Sequence, residues 1–272
     1  YMYPYSAQNP LKEEYMMQSN LEYNAYTMGI AKIAGAAMCE AYNIQYGTNY
    51  LCLALNNLYG TRANFDFGKS RVLPALIRKF HLAKMLEDDN FEGVLADLNM
   101  NEKEATEILN NYGIAKDSVE IWGTGKVKRE FIHSDDLADA SIFTMENINF
   151  SDLANGKNPQ NTHINIGSGV AYSIAEVVDM IKGIVGFNGQ LYFNTSRPDS
   201  TMDRLMDVSK INSLGWKHKI ELEEGIKMMY QWYKNSVRGG VESKFINLTY
   251  TTSFDAINNL NFIADSKRIC NG

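Results

Sequence analysis

The sequence predicts an α/β fold in which part of a doubly wound parallel sheet is joined to a smaller C-terminal α/β region. The first observation is a helix pattern over 27–46, which Gly47 ends and the continuous apolar run Tyr50–Leu55 follows. Such a run is typical of a strand buried in a parallel sheet. The second observation is another short apolar strand, Thr162–Ile166, which ends at a Gly-Ser-Gly turn before a helix. Helix, tight turn and buried strand together make up most of an αβ unit.

The remaining elements are predicted from periodicity and capping residues. In chain order they are a helix over 72–86, strands over 119–122 and 130–132, a helix over 137–145, a helix from 173 through 184, a strand over 190–194, a turn at 197–199 and a helix over 221–234. We expect Asp135 and Ser173 to cap the helices that follow them. Residues 87–118 are acidic, polar and helix-prone without a strong strand, which is typical of an insertion.

Composition excludes several classes of protein. The 272 residues are 45% hydrophobic and 21% charged, as in ordinary globular proteins. The net charge of -6 argues against a nucleic-acid surface, although one small nucleotide ligand needs only a few cations in a cleft. No apolar run is long enough to predict a membrane span. Cys39, Cys52 and Cys270 are widely spaced, so we expect neither a disulfide framework nor a metal site, and we expect a reducing cytoplasmic location.

Short segments in a fixed order carry a resemblance to a known family. They are IAKIAG at 30–35, MCEAYN at 38–43, QYGTN at 45–49, NNLYG at 56–60, VLPALIRKFH at 72–81, WGTGKVKREF at 122–131, HSDDLADA at 133–140, INIGSG at 164–169, RPDST at 197–201 and DVSKINSLGW at 207–216. On these residues the chain resembles the extended short-chain dehydrogenase/reductase family, whose fold is Rossmann-type. Within that family it is similar to the GDP-L-fucose synthases, which reduce and epimerise GDP-4-keto-6-deoxymannose.

The resemblance implies a domain organisation. Residues 1–60, with about 133–168, would be the remaining part of a dinucleotide-binding domain. Residues 61–132 and 169–240 would form the substrate-binding domain, with the insertion at about 87–118, and 241–272 has no assigned role. The glycine-rich phosphate-binding turn of the family is missing, because neither GTG at 123–125 nor GSG at 167–169 follows a first strand. We therefore expect this chain to be the downstream part of a longer protein.

The family's catalytic YxxxK pair would fall at positions 28 and 32. Lys32 is present, and the resemblance implies a catalytic role for it, because in the family pair the lysine cation lowers the pKa of the tyrosine. Position 28, however, is Met, which has no proton to give to the alkoxide formed by hydride addition. Tyr26 is the candidate replacement, provided that the local backbone is irregular, and water or a residue outside this chain are the alternatives.

The resemblance also implies NADPH as cofactor, with NAD left open. Lys32 would hold the nicotinamide ribose, and the strand-end residues Leu55, Asn56, Asn57 and Leu58 would line the cofactor site.

The epimerase pair of the family is replaced as well. Its cysteine corresponds to Tyr1 and its histidine to Arg71, and neither side chain is a good proton shuttle near neutral pH. His81, on the same predicted helix as Arg71, is expected to be a structural or surface histidine. The substrate-binding residues are better preserved, with cations for a diphosphate, an aromatic face for a base or sugar, and a carboxylate for hydroxyls. By resemblance these residues are Lys79, Trp122, Arg129 and Asp199, with Lys79 standing where the family often has arginine. Arg71, at the position of the family histidine, is a further substrate-binding candidate.

The resulting hypothesis is NAD(P)H-dependent reduction of the 4-keto group of a GDP-4-keto-6-deoxy sugar, hexose or heptose, without epimerase activity. The alternatives are a bifunctional 3,5-epimerase and 4-reductase, and a catalytically inactive GDP-sugar-binding homologue. The insertion is expected beside the sugar end, where it would suit a larger sugar such as a heptose. The expected partners are a GDP-linked keto-deoxy sugar and a second copy of the chain in a homodimer, with no nucleic acid and no membrane.

Overall fold

The computed structural model describes residues 2–154, 159–197, 199 and 203–238. The chain divides into two units, Tyr1–Trp232 and Tyr233–Gly272, and the strands that the structure describes all lie in the first unit. In chain order the elements are α1 (Tyr26–Tyr46), β1 (Leu53–Leu55), β2 (Asn57–Tyr59), α2 (Val72–Glu87), α3 (Phe91–Leu98), α4 (Glu102–Asn111), β3 (Ser118–Trp122), β4 (Lys128–His133), α5 (Ser134–Asn147), α6 (Phe150–Leu153), β5 (Ile164–Ile166), β6 (Ala171–Ser173), α7 (Ile174–Val185), β7 (Gln190–Asn194), α8 (Ser209–Ser213) and α9 (Leu222–Arg238), with short 3-10 helices at Glu13–Tyr15 and Tyr23–Ala25.

The strands pair mostly in parallel, which confirms the predicted α/β class. β1 pairs in parallel with β5, so that Leu53 lies beside Ile164 and Leu55 beside Ile166. β2 pairs in parallel with β4, and β4 pairs antiparallel with β6. β3 and β7 form a separate parallel pair. Helices between parallel strands are required by this topology, because a parallel partner can be reached only through a crossover.

The two predicted buried strands are shorter than their apolar runs. Tyr50 begins the first run, but its backbone is paired with the side chain of Asn43 in α1, through N–H to Oδ1 at 2.8 Å and C=O to Nδ2 at 2.7 Å. The second run begins at Thr162, whose N–H and hydroxyl both donate to the carboxylate of Glu40, also in α1. Side chains of α1 therefore replace strand pairing at the start of both runs.

The helix caps match the sequence prediction at one site and not at another. Ser173 caps α7 in a capping box with Glu176, as predicted. Asp135, predicted to cap α5, instead lies in its first turn. The cap is His133, whose ring nitrogen Nδ1 accepts from the Asp135 N–H at 3.2 Å. The prediction was wrong because a neutral histidine ring nitrogen can accept a hydrogen bond from a backbone N–H, as an aspartate carboxylate does. The sequence does not reveal which ring nitrogen carries the proton.

The predicted insertion is helical and is packed against the rest of the fold. Asn90 caps α3, and Asn101 caps α4 with Glu104 in a capping box. The side chains that this hairpin buries are Val94, Leu98, Ala105, Leu109 and Ile114. Its end is fixed to β3 by an antiparallel bridge between Ile114 and Val119. The insertion is therefore an integral part of the fold.

The predicted tail at 241–272 lies outside the described residues, and so does Pro198 in the predicted turn at 197–199.

Candidate functional site

The first half of α1 lies at the carboxyl end of β1. Gly47 ends the helix in the left-handed conformation with φ 66, and the chain then returns along the helix as β1. Ile33 and Ala54 belong to one buried cluster, which fixes the side of α1 that faces the strand. Lys32 is exposed beside Ile33, and Leu55 is 42% exposed beside Ala54. A cation, Lys32, and an apolar side chain, Leu55, thus lie at the same carboxyl end of β1.

Asn56 lies between β1 and β2, where the chain passes from one sheet to another. Its Nδ2 donates to Oε2 of Glu130 at 3.1 Å and to the carbonyl of Arg204 at 3.0 Å. The Nδ2 of Asn57 donates to the Glu130 carbonyl at 2.9 Å. The side-chain amino groups of both predicted cofactor residues therefore hold the protein together, while the adjacent Leu58 stays 46% exposed. Their roles toward a cofactor stay predictions.

Sequence reasoning missed Glu130, which organises this edge. The residue is fully buried, and its carboxylate accepts from the N–H groups of Gly169 at 2.7 Å and Met206 at 2.8 Å. Burial raises the pKa of this carboxyl above its ordinary value, and the hydrogen bonds oppose that change. A Cβ at Gly167 would lie 2.2 Å from the Glu130 carboxylate, so only glycine fits there. A single glutamate within a strand carries no sequence signal for such a role.

Tyr26, the candidate proton donor, and Met28, at the position of the family tyrosine, lie on different sides of α1. Tyr26 is the first residue of the helix, directly after the 3-10 turn, and is 51% exposed. Met28, which replaces the family tyrosine, is 38% exposed. Because the helix is regular from Tyr26 onward, the two side chains emanate about 200° apart around its axis. The irregular backbone that would realign them lies before Tyr26, not between the two residues.

A second cluster forms where β3 ends. Trp122 is the last residue of that strand and keeps 47% of its surface exposed. The Lys79 ammonium lies 5.4 Å from the centre of the indole, and the Arg197 guanidinium carbon lies 4.9 Å from it. Both distances are within the range of cation–π attraction. Arg197 was missed by the sequence reasoning, although a cation two residues before Asp199 was a possible signal.

Lys79 is a buried cation. Its Nζ donates to the Glu120 carbonyl at 2.7 Å, and the residue is 6% exposed. Burial lowers the pKa of Lys79 to about 8, because a low-dielectric environment disfavours the charged form. An anion bound nearby would stabilise the charged form, so the ammonium is suited to a phosphate ligand.

Asp199 packs on the turn that follows Trp122. Its carboxylate accepts from the N–H of Thr124 at 2.9 Å and from the Thr124 hydroxyl at 2.8 Å, and these bonds lower its pKa. Gly123 has φ 87, and a Cβ there would lie 2.3 Å from a carboxylate oxygen of Asp199. The turn conformation therefore requires glycine, and it holds Asp199 against the end of β3.

The structure brings three of the five predicted substrate-binding residues, Lys79, Trp122 and Asp199, to the end of β3. Arg129 lies on β4, where it pairs with Tyr172 of β6, and Arg71 is the exposed N-terminal cap of α2. The substrate role of all five residues stays a prediction.

His81 is buried, and its Nδ1 lies 3.1 Å from the Tyr230 hydroxyl, in agreement with the expected structural role.

Metal clusters and membrane-spanning helices are both absent from the part of the chain that the structure describes. No group of three or more His, Cys, Asp or Glu side chains in the described ranges is placed to hold a metal ion. Among the same residues, no helix combines the length and apolar character needed to cross a membrane.

Comparison with known proteins identifies close relatives. Residues 1–167 match the model of the NAD dependent epimerase/dehydratase family. The probable GDP-L-fucose synthase 1 of Oryza sativa subsp. japonica is 39% identical over 236 residues, which are 87% of this chain and 60% of the rice protein. This chain spans about three-fifths of the length of the curated relatives it matches.

Two solved structures are more similar in sequence. A GDP-6-OMe-4-keto-L-xylo-heptose reductase from C. jejuni has 70% sequence identity and a TM-score of 0.83, with 87% of this chain and 68% of that chain covered. A GDP-mannoheptose C4 reductase from Campylobacter jejuni with NADP bound has 68% identity and a TM-score of 0.79, with 86% of this chain and 67% of that chain covered.

Proposed function

Because the chain belongs to the NAD dependent epimerase/dehydratase family, we propose that the full-length protein is an oxidoreductase that reduces the 4-keto group of a GDP-linked sugar with NADPH. The observation that carries the proposal is the cluster at the end of β3. There an exposed indole, two cations and a fixed carboxylate lie within one small region. These are the groups that recognise a base or sugar face, a diphosphate and hydroxyls.

The edge formed by α1 and β1 fits a nicotinamide cofactor. NADPH, when bound, supplies a hydride to the ketone carbon, and the resulting alkoxide takes up one proton to become the alcohol. Lys32 would hold the ribose of the cofactor, and the exposed side chains of Leu55 and Leu58 would line the nicotinamide site. Asn56 and Asn57 contribute through their backbone, since their side-chain amino groups are held by protein partners. NADH remains the alternative donor.

In this proposal the substrate extends from the cluster at the end of β3 to the carboxyl end of β1 beside α1. Lys79 and Arg129 neutralise the diphosphate, Trp122 contacts the nucleotide, and Asp199 accepts from hydroxyl groups. Arg71, at the start of α2, contacts the sugar. The position of the ketone is then set at the α1 edge, where Tyr26 or water delivers the proton.

The sugar is a heptose in this proposal. The two reductases at 70% and 68% identity are described as acting on GDP-heptoses, whereas the rice GDP-L-fucose synthase relative is 39% identical. Epimerisation is not included, because Arg71 stands where the family has its histidine, and a guanidinium does not exchange protons near neutral pH. A GDP-4-keto-6-deoxyhexose is the alternative substrate.

The primary test is NADPH oxidation by the full-length protein with a GDP-4-keto-heptose and with the corresponding hexose. We expect turnover with a higher kcat/KM for the heptose. Run in deuterium oxide, the reaction should leave the carbons next to the ketone unlabelled. Label at those carbons would establish the bifunctional alternative, and the absence of oxidation of both NADPH and NADH with either sugar would support the inactive homologue.

The source of the proton is tested on α1 itself. If Tyr26 is the general acid, Tyr26→Phe should lower kcat by about 100-fold or more, since a positioned acid contributes about 10²–10⁴. Tyr46→Phe is the matched control, because Tyr46 is the last residue of the same helix and is 64% exposed. A loss of less than threefold for Tyr26→Phe would assign the proton to water or to another residue.

The domain organisation is part of the same proposal. Residues 1–60 with 133–168 form the remaining part of the dinucleotide-binding domain, and 61–132 with 169–240 form the substrate-binding domain. The parallel pairs support this division, because β1 and β5 both come from the first set and β3 and β7 from the second. The sheet of β2, β4 and β6 joins strands of both sets.

We also include a cytoplasmic homodimer. Cys39 and Cys52 are both free thiols, which supports a reducing compartment. α1 exposes large apolar side chains, among them Ile30 at 45%, Met38 at 59% and Ile44 at 59%, as expected of a helix that a partner covers.

The homodimer is tested with a pair of methionines. Met38→Glu should convert the full-length protein to a monomer in light scattering. A dimer would have to bury the unpaired glutamate carboxylate at its interface, which is costly. Met145→Glu, at a residue already 80% exposed, should not. An unchanged dimer in the Met38 variant would remove α1 from the interface.

A further inference from the structure

The inserted hairpin of α3 and α4 is held firmly against α2. The Asp97 side chain in α3 is fully buried, and its carboxylate accepts from Nε of Arg78 at 2.9 Å. A second Arg78 nitrogen donates to the Asp97 carbonyl at 3.0 Å. Two hydrogen bonds from one planar guanidinium to the side chain and the backbone of the same residue fix orientation as well as distance. The α3 helix of the hairpin therefore has a defined position relative to α2.

The end of α4 carries Tyr112, whose ring stacks on Trp122. The two ring centres are 6.0 Å apart with planes inclined by 17°. The Tyr112 ring also stacks on Phe67, with ring centres 4.4 Å apart and planes inclined by 22°. The carbonyl of Gly113, the next residue, accepts from the Glu120 N–H at 2.7 Å, which ties the tyrosine to β3. Three nearly parallel rings thus form a row, here called the ring row, of Phe67, Tyr112 and Trp122.

Cations lie at both ends of the ring row. The Arg78 guanidinium carbon is 5.2 Å from the centre of Phe67, and Lys79 and Arg197 lie over Trp122. Arg78 thus connects the hairpin, through Asp97, to the far end of the row. With Tyr112 against it, Trp122 cannot rotate freely, yet 47% of its surface remains open to a ligand.

We propose that Tyr112, supplied by the inserted hairpin, is a positioning residue that fixes the indole plane of Trp122 as a platform for the guanine base. The proposal rests on the proposed function and deepens it. The base, rather than the sugar, belongs at Trp122 because the ketone must lie at the Lys32 edge on α1, while Trp122 ends the β3–β7 pair. A flat ring row with neighbouring cations also matches a planar base followed by a diphosphate.

The test measures GDP binding to the full-length protein by calorimetry, which does not require turnover. Tyr112→Ala should weaken GDP binding by about three- to tenfold, the effect expected from losing one aromatic stack. Tyr112→Phe keeps the ring and should bind GDP as the wild type does. Tyr192→Ala is the matched control, because it removes a 62% exposed tyrosine from β7, the strand paired with β3.

In turnover, Tyr112→Ala should raise KM for the GDP-sugar by the same factor and leave kcat unchanged, since the base does not react. A purely structural role would lower kcat and the melting temperature together. Unchanged GDP binding in Tyr112→Ala, or an equal loss in Tyr192→Ala, would overturn the proposal. If the wild type binds GDP but oxidises no NADPH, the proposed function fails while the role of Tyr112 stands.

Discussion

Replacing Lys79 by methionine should make the ligand-free protein more stable while it weakens substrate binding. Methionine has nearly the same length and shape, so the substitution removes a buried charge without creating a large cavity. Lys79 is 6% exposed, and no carboxylate among the described residues forms an ion pair with it. Its ammonium is instead held by the Glu120 carbonyl and the face of Trp122.

The size of the effect follows from the pKa of Lys79. Burial lowers that pKa from 10.5 to about 8, so at neutral pH the folded protein holds a cation that the unfolded chain solvates better. The difference corresponds to about 3 kcal/mol of lost stability. Losing the hydrogen bond from Lys79 to the Glu120 carbonyl costs about 1 kcal/mol and offsets part of the stability gained by removing the charge. Lys79→Met should therefore raise the free energy of unfolding by about 2 kcal/mol near pH 7.

The pH dependence gives a second, independent readout. The folded-state pKa of Lys79 lies below the unfolded value. The destabilisation caused by burying its charge is therefore full below about pH 8, declines as the pH rises from there, and is gone above about pH 10.5. The stability difference between Lys79→Met and wild type should consequently shrink by about half or more near pH 9.5. Urea unfolding of both proteins, followed by tryptophan fluorescence at the two pH values, measures it.

Binding should move in the opposite direction. Loss of a charge-assisted contact to the diphosphate costs about 1.5–3 kcal/mol, or about 10–100-fold in KM for the GDP-sugar. Lys79→Arg is the control, because it keeps the cation and should retain most of the affinity. The reasoning is refuted if Lys79→Met is less stable than wild type near pH 7. It is equally refuted if the stability difference does not depend on pH.

Two further substitutions probe how the site is supported. Gly123→Ala introduces a side chain at φ 87 and within 2.3 Å of Asp199, so it should destabilise the protein by about 1–2 kcal/mol and raise KM for the GDP-sugar. Gly183→Ala, in an exposed helical position with open space around it, should instead stabilise by about 0.5–1 kcal/mol in the same urea assay. Asp97→Asn leaves Arg78 without its carboxylate and should cost about 3 kcal/mol, measured by urea unfolding; a cost below about 1 kcal/mol would contradict a buried ion pair there.

The sequence predicted the local pattern of the fold better than the long-range pairing. Apolar runs and caps located α1, α2 and α7 within a few residues, because these signals are local. The strand starts near Tyr50 and Thr162 were predicted too early, since side chains of α1 take over their backbone hydrogen bonds. Nothing in a local pattern reveals a partner that lies far away in the chain.

The residues of the candidate site were likewise predicted only in part from the sequence. Family resemblance placed Lys79, Trp122 and Asp199, and the structure brings them together at β3. Glu130 and Tyr112 could not be found from sequence. The carboxylate of Glu130 acquires its role only when distant backbone N–H groups converge on it, and Tyr112 reaches Trp122 only through the packing of the inserted hairpin.

Lys32 should serve cofactor binding alone, because α1 separates it from Tyr26. At about 100° per residue, Met28 shares a helix face with Lys32, whereas Tyr26 lies about 120° away and shares a face with Ile33. Ile33 packs in the cluster that contains Ala54, so Tyr26 emanates from the side of α1 that faces β1. A lysine on another face cannot activate that phenol as it would a tyrosine at position 28.

Lys32→Met should therefore raise KM for NADPH by about tenfold or more, as expected for a lost charge-assisted hydrogen bond, and leave the pH profile of kcat unchanged. Steady-state kinetics of the full-length protein at several pH values separate the two effects, with Lys12→Met on an exposed lysine outside α1 as control. A shift of the kcat profile in Lys32→Met would show that the lysine does act on the proton donor. In that case the donor must lie on the face of Met28, which Tyr26 cannot reach from the first turn of a regular helix.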